Sequence, residues 1–320
     1  MKITKISNDF TPLSEGIFFG VNSESHEPSD LVVEVVDVAT DEVVAVQQLR
    51  GVIEAHVNIA PYLNRFAERT PHVGLYSVFA EAPTATYKIC VGDSESEAVV
   101  VSVNRDAVSR PALVTTLPTS RTISYGESDE LLLITEAGDT IEVSITTDAD
   151  AELSVEHTTS GGATIFMLST EEFSPNTKTI DVKLWLNGEE WHELHYRVVP
   201  AYRGAIRLAW LSDKGSVEQY TFLTATRAKH KSEKQTIATP SNRRVVQSNF
   251  EHTVSLTSRY EPRRVVDALS QIVRSPRVWN KDGEHLTEVE VMSSDIDLNL
   301  FGEPDCVTVE VCIERGEWVI

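Results

Sequence analysis

The chain has 320 residues, with 49 acidic side chains against 28 basic ones and a formal net charge of −21. A hydrophobic share of 41% supports buried cores and excludes a wholly disordered chain. The length suits two or three domains, and no apolar run approaches the roughly 18 residues needed to cross a bilayer. Met1 to Phe10 also lacks the apolar stretch of a secretory signal, so the expectation is a protein made and kept in the cytoplasm before any assembly.

Period-2 alternation broken by turn residues dominates the pattern. Leu31 to Val38 reads as a strand, Ala39 to Glu42 as a turn and Val43 to Leu49 as the partner, followed by a third strand over Val52 to Ile59. Ala60 to Phe66 has the form of a short helical turn, with Pro61 early, where a missing N–H costs nothing. His72 to Ala80, Thr86 to Val91 and Ala98 to Val103 complete a set that predicts an antiparallel sandwich of immunoglobulin-like size over residues 1–105.

Arg105 to Pro111 reads as a linker, and a second sandwich is expected over residues 106–201. Its strands are Ala112 to Leu117, Glu130 to Glu136, Ile141 to Thr147, Ala163 to Leu168, Thr179 to Leu186 and Trp191 to Val199. Asn187-Gly188 between the last two is a strong hairpin signal, because both residues tolerate positive φ.

Residues 202–320 predict a β-rich C-terminal domain. Ala205 to Leu211 and Ser216 to Phe222 form a hairpin, and Ala225 to Asn242, polar and without periodicity, reads as a long mobile loop or arm. Glu251 to Thr257 is a strand. Pro262 to Arg274 is the one convincing amphipathic helix, with Val265, Val266, Leu269, Ile272 and Val273 on one stripe and Ser275-Pro276 as its stop. Arg277 to Trp279, a turn over Asn280 to Gly283, and strands over Glu288 to Leu300 and Val307 to Ile313 close the chain.

Few residues carry a chemical signature. Cys90, Cys306 and Cys312 do not make a disulfide framework, since the last two fall about 20 Å apart on one predicted strand. His192 and His195 are three apart on a strand and so point to opposite faces, unlike the helical pair of a zinc protease. Asp295, Asp297 and Asn299 start like a calcium loop, but Leu300 and Cys306 stand where Gly and Glu are needed. Neither a nucleophile elbow nor a phosphate loop nor a dinucleotide fingerprint is present, so the reading is a non-enzyme without cofactor or metal. Trp185 and Trp191 flank the Asn187-Gly188 turn and fit either core packing or stacking on a sugar.

Charge is segregated. Ala225 to Lys281 carries 12 basic against 4 acidic side chains, in a chain that is acidic everywhere else. The candidate surface is Arg227, Lys229, Lys231, Arg243, Arg244, Arg263 and Arg264. It fits a solvated surface, a docking surface for acidic regions of sister subunits, or a nucleic-acid contact. The overall negative charge and the lack of aromatic residues among Thr226 to Lys231 argue against nucleic acid.

Three stretches together carry a resemblance: Leu31 to Leu63, ending in Asn58-Ile59-Ala60-Pro61-Tyr62-Leu63; Ile206-Arg207-Leu208-Ala209-Trp210-Leu211 through Gly215 to Phe222; and the helix leading into Arg274-Ser275-Pro276-Arg277-Val278-Trp279 and the strand to Met292. In this order they resemble tail- and baseplate-type structural proteins of phages and prophages of gut Bacteroidetes. The resemblance implies a non-enzymatic, oligomeric virion subunit built from β-domains, whose partners are sister subunits or other tail-like proteins. The alternative is a carbohydrate-binding or adhesive β-sandwich protein of the bacterial surface.

Overall fold

The computed structural model describes residues 1–11, 13–24, 27–63, 70–74, 76–82, 84–102, 111–238, 243–296 and 305–319. The protein is mainly β. Its first stretch contains β1 (Lys2–Lys5), β2 (Phe18–Asn22), β3 (Ser29–Asp37), β4 (Glu42–Val52), β5 (Glu54–Asn58), the short helix α1 (Ala60–Leu63), β6 (Val78–Glu81), β7 (Thr84–Val91), β8 (Ser94–Glu95) and β9 (Val99–Ser102). One sheet runs β1-β2-β5 and the other β4-β3-β7-β8, with β9 also on β7. Phe19, Val21 and Val57 from the first meet Val33, Val35 and Ile89 from the second in one core. The expected turn after β3 is present: Asp37 Oδ1 accepts from the Ala39 N–H at 2.8 Å, and Asp41 takes φ 56°.

The segment His72 to Ala80 departs from the expectation. Among its described residues strand starts only at Val78, and Val78–Glu81 pairs with Thr164 to Met167 in the next sandwich instead of the first. Alternation identifies a strand but not the sheet that will receive it.

The second stretch holds β10 (Ala112–Val114), β11 (Ser120–Ser124), β12 (Ser128–Thr135), β13 (Thr140–Thr147), β14 (Glu152–Thr158), β15 (Gly162–Ser169), β16 (Thr179–Leu186) and β17 (Glu189–Val199). The sheets are β10-β12-β15-β6 and β11-β17-β16-β13-β14. Leu131, Leu133, Phe166 and Leu168 pack on Val143, Val182, Leu184 and Leu194 between them. Each such fully buried apolar side chain contributes about 1.5–3 kcal/mol. Every residue of β12 and β15 is buried, because their outer face forms a second apolar cluster with Leu132, Ile134, Ile165 and Met167. Asn187 and Gly188, at φ 52° and 84°, make the two-residue turn between β16 and β17. The pair β11–β17 is parallel, within a sheet that is otherwise antiparallel.

The third stretch holds β18 (Ile206–Leu211), β19 (Val217–Phe222), β20 (Thr224–Ala238), β21 (Arg243–Thr257), α2 (Arg263–Leu269), β22 (Val278–Asp282), β23 (His285–Val291) and β24 (Thr308–Val319). They form one seven-stranded sheet, β19-β18-β22-β23-β24-β21-β20. A 3-10 turn, Ser270–Arg274, continues α2, and Val265, Val266, Leu269 and Ile272 pack on Trp210, Phe222, Leu256 and Val309.

Three expectations here are corrected. Ala225 to Asn242 is not a loop: its described part belongs to the 15-residue strand Thr224–Ala238, paired along its length with β21. The alternation is missing because neither face of this strand meets a core, and the backbone ladder with β21 is what holds it. The turn expected over Asn280 to Gly283 is also strand up to Asp282, which places Lys281 in the sheet interior at 7% exposure. The strand expected to reach Leu300 ends at Val291, while Asp297 and Asn299 lie outside the described residues.

Candidate docking surface

The two ends of the seven-stranded sheet have opposite surroundings. Every residue of β19 is buried, whereas every described side chain of β20 from Ala225 to Ala238 is exposed. Among the described residues, no strand pairs with the outer edge of β20. Along that edge, every second residue of an antiparallel strand presents its N–H and C=O outward.

This hairpin gathers five of the seven basic residues named from the sequence. Arg227, Lys229 and Lys231 stand two apart on one face, in register with Ser255, Thr253 and Glu251. Arg243 and Arg244 begin β21 opposite Ala238 and Ile237. Lys231 reaches Glu233 at 2.8 Å, with both side chains more than half exposed, which makes the pair weak in water. On the other face, His230 and His252 stack with centroids 4.1 Å apart. The remaining two residues are elsewhere. Arg263 is held by Asp267 at 2.8 Å one helical turn on, and Arg264 lines a cleft beside the helix start.

The buried end of the sheet rests on a polar junction that the sequence reading missed. The Arg207 guanidinium donates to Glu127 Oε2 (2.9 Å), the Ser128 carbonyl (2.8 Å), Thr221 Oγ1 (2.9 Å) and Gln219 Oε1 (3.1 Å). Lys281 Nζ donates to Ser128 Oγ (2.7 Å) and Gln219 Oε1 (3.1 Å). Glu218, 1% exposed, accepts from Thr115 Oγ1, the Thr116 N–H and Ser216 Oγ at 2.6–2.9 Å. These bonds tie β18, β19 and β22 to the second sandwich. Burial first, and then the Arg207 charge, pull the Lys281 pKa down to about 7. Burial opposes charge on Arg121 as well, but Tyr196, Asp129 and Glu218 outweigh it and hold the guanidinium protonated.

The cleft beside this junction has a volume of about 400 Å³ and runs between β11 and β17 on one side and β19 and the start of α2 on the other. The sequence held a signal for it: Glu218 and Gln219 in β19, and Arg207 in β18, interrupt strands flanked by apolar core residues. Polar side chains at such positions need buried partners.

Other motifs resolve simply. His195 Nδ1 lies 2.7 Å from Asp181 Oδ1, while half-buried His192 packs against Trp191 with ring centroids 4.8 Å apart. Burial lowers the His192 pKa. Trp191 packs partly against the second core, Trp185 is partly buried, and Trp210 and Trp279 are core residues. Among the described residues no group of three or more His, Cys, Asp or Glu could hold a metal, and no helix is long and apolar enough to cross a membrane.

Neither a family model nor a curated protein matches the chain. Among solved structures, similarity is found to the chicken interferon gamma receptor alpha chain, at 11% identity and a TM-score of 0.20, covering 62% of this chain and 98% of that one. The FN1–FN3 domains of chicken CNTN1 match at 10% identity and a TM-score of 0.22, covering 80% and 91%. A tetra-tandem repeat in the extending region of a large adhesion protein matches at 10% and 0.22, covering 79% and 69%. At these values the likeness carries no functional statement.

Proposed function

We propose that this protein is a non-enzymatic assembly subunit, and that copies join by adding a strand to the open edge of β20. The observation that carries the reading is that edge: 15 residues long, with its described side chains exposed on both faces and no strand among the described residues paired on its outer side. A long open edge templates pairing with another chain, and its lysines select against neutral or basic partners.

The occupant we favour is β14 of the next copy. It is the outer strand of its own sheet, and Glu152, Ser154, Glu156 and Thr158 are its exposed residues. Glu152 and Glu156 are four residues apart, like Arg227 and Lys231, so both pairs span about 13.6 Å. An antiparallel register sets Glu156 opposite Arg227 and Glu152 opposite Lys231. Such a contact joins two different patches and generates rings or filaments. The charges steer association and set register. The resemblance to tail- and baseplate-type proteins supports placing this assembly in a phage-tail-like or prophage particle.

Native mass and sedimentation velocity of the full chain test the reading. Wild type forms closed or open multimers that dissociate in high salt. The double reversal Arg227→Glu/Lys231→Glu stays monomeric, and mixing it with Glu152→Lys/Glu156→Lys restores multimers that hold the two variants in a one-to-one ratio. Equal masses for wild type and the β20 reversal at every concentration refute it.

A further inference from the structure

We propose that the cleft between the second sandwich and the C-terminal sheet is a binding site for a small hydroxylated carboxylate, a uronic acid being the simplest sugar of that class. The site is separate from the β20 edge and independent of the assembly reading.

The argument starts from two unsatisfied groups, one on each side of the cleft. Asp129 and Gln219 both line the cleft, each is 4% exposed, and Asp129 Oδ1 and Gln219 Nε2 have no hydrogen-bond partner. The amide orientation is fixed, because Gln219 Oε1 already accepts from Arg207 Nε and Lys281 Nζ at 3.1 Å each. Asp129 Oδ2 is likewise taken, by Arg121 Nη1 at 2.8 Å and the Tyr196 hydroxyl at 2.9 Å. The nearest cation to Oδ1 is Arg207 Nη2 at 3.9 Å, beyond hydrogen-bond reach. A buried acceptor and a buried donor left open each carry a desolvation cost. Ligand hydroxyls that reach them as the wall adjusts would satisfy them, one donating to Asp129 and one accepting from Gln219.

The rim supplies the second half of the specificity. Arg197 and Arg264 line the same cleft, both exposed, and neither is ion-paired with a described residue. Glu261 is there too, but its Oε1 accepts from the Tyr220 hydroxyl at 2.9 Å. Two uncommitted guanidinium groups are suited to a carboxylate, which matches their planar fork. Leu117, Ile123 and Val265 give the walls apolar area for the carbon face of a ring. The volume of about 400 Å³ lies within the usual range for small-molecule pockets.

Calorimetry or chemical-shift titration of the full chain with D-glucuronate, D-glucose and a glucuronate-containing oligosaccharide tests the site. Glucuronate is expected to bind saturably and at least about tenfold more tightly than glucose. The double variant Arg197→Gln/Arg264→Gln alters exposed residues only, and is expected to abolish that preference while retaining the wild-type fold. A tighter oligosaccharide marks the source as a glycan chain; equal affinity marks a free acid. Absence of saturable glucuronate binding overturns the proposal, as does binding that the double variant leaves unchanged.

Discussion

Replacing Lys281 by Met tests the polar junction through its pH dependence. Lys281 Nζ is enclosed by Ser128 and Gln219, and it faces the charges of Arg207 on β18 and of Glu127 and Asp129 on the second sandwich. Its folded-state pKa is about 7 against an ordinary 10.5. Between these values the unfolded chain holds a proton that the folded chain has lost. Stability therefore rises with pH across that window, and the charged form is the destabilising one. From pH 7 to pH 9 the rise from this group is about 2 kcal/mol, while below about pH 6 both states are protonated and the contribution is flat. Met keeps the length of the side chain and removes the titration. The assay is urea unfolding at several pH values, followed by the fluorescence of buried Trp210 and Trp279. The stability difference, wild type minus Lys281→Met, should shift toward wild type by about 2 kcal/mol between pH 7 and pH 9. A difference that stays constant across the window refutes the assignment of a neutral, buried lysine.

Three further outcomes are expected. Arg207→Met strands the Glu127 carboxylate at the junction and should cost about 3–5 kcal/mol in urea unfolding. Gly188→Ala introduces no clash, since nothing lies within 4 Å of the added methyl, so any loss reports the φ of 84° alone and should be about 1 kcal/mol. Gly162→Ala combines a φ of 82° with collision against the Phe10 ring and should lower the melting temperature more than Gly188→Ala does.

The elements legible in the sequence were those whose pattern a core enforces. Val33 and Val35, the Asn187-Gly188 turn, and the stripe of Val265, Val266, Leu269 and Ile272 all follow from burial on one side or from a backbone that only certain residues tolerate. The β20 strand was hidden because solvent on both faces removes any alternation. Its basic residues were nonetheless visible as a charge island, and five of them do share one hairpin. The cleft was hidden for a different reason. Asp129 lies far in sequence from the hairpin that carries Arg207 and Gln219, and only the packing of one sheet on another sandwich brings it to them. Lys281 was misread as a turn residue because Asn-Lys-Asp-Gly has turn composition, whereas the junction's hydrogen bonds hold it in a strand.

The pairing of β6 with β15 also has a consequence for synthesis. Glu81 leaves the ribosome well before its partner Thr164 exists. At about 5–20 residues per second the intervening chain takes roughly 4–17 s to make. During that interval β6 is an unmatched strand, joined to the first sandwich through β5 before it and β7 after it. The nascent chain therefore passes through a state with an available sheet edge near its amino terminus, and ribosomes crowded on one message hold several such edges close together.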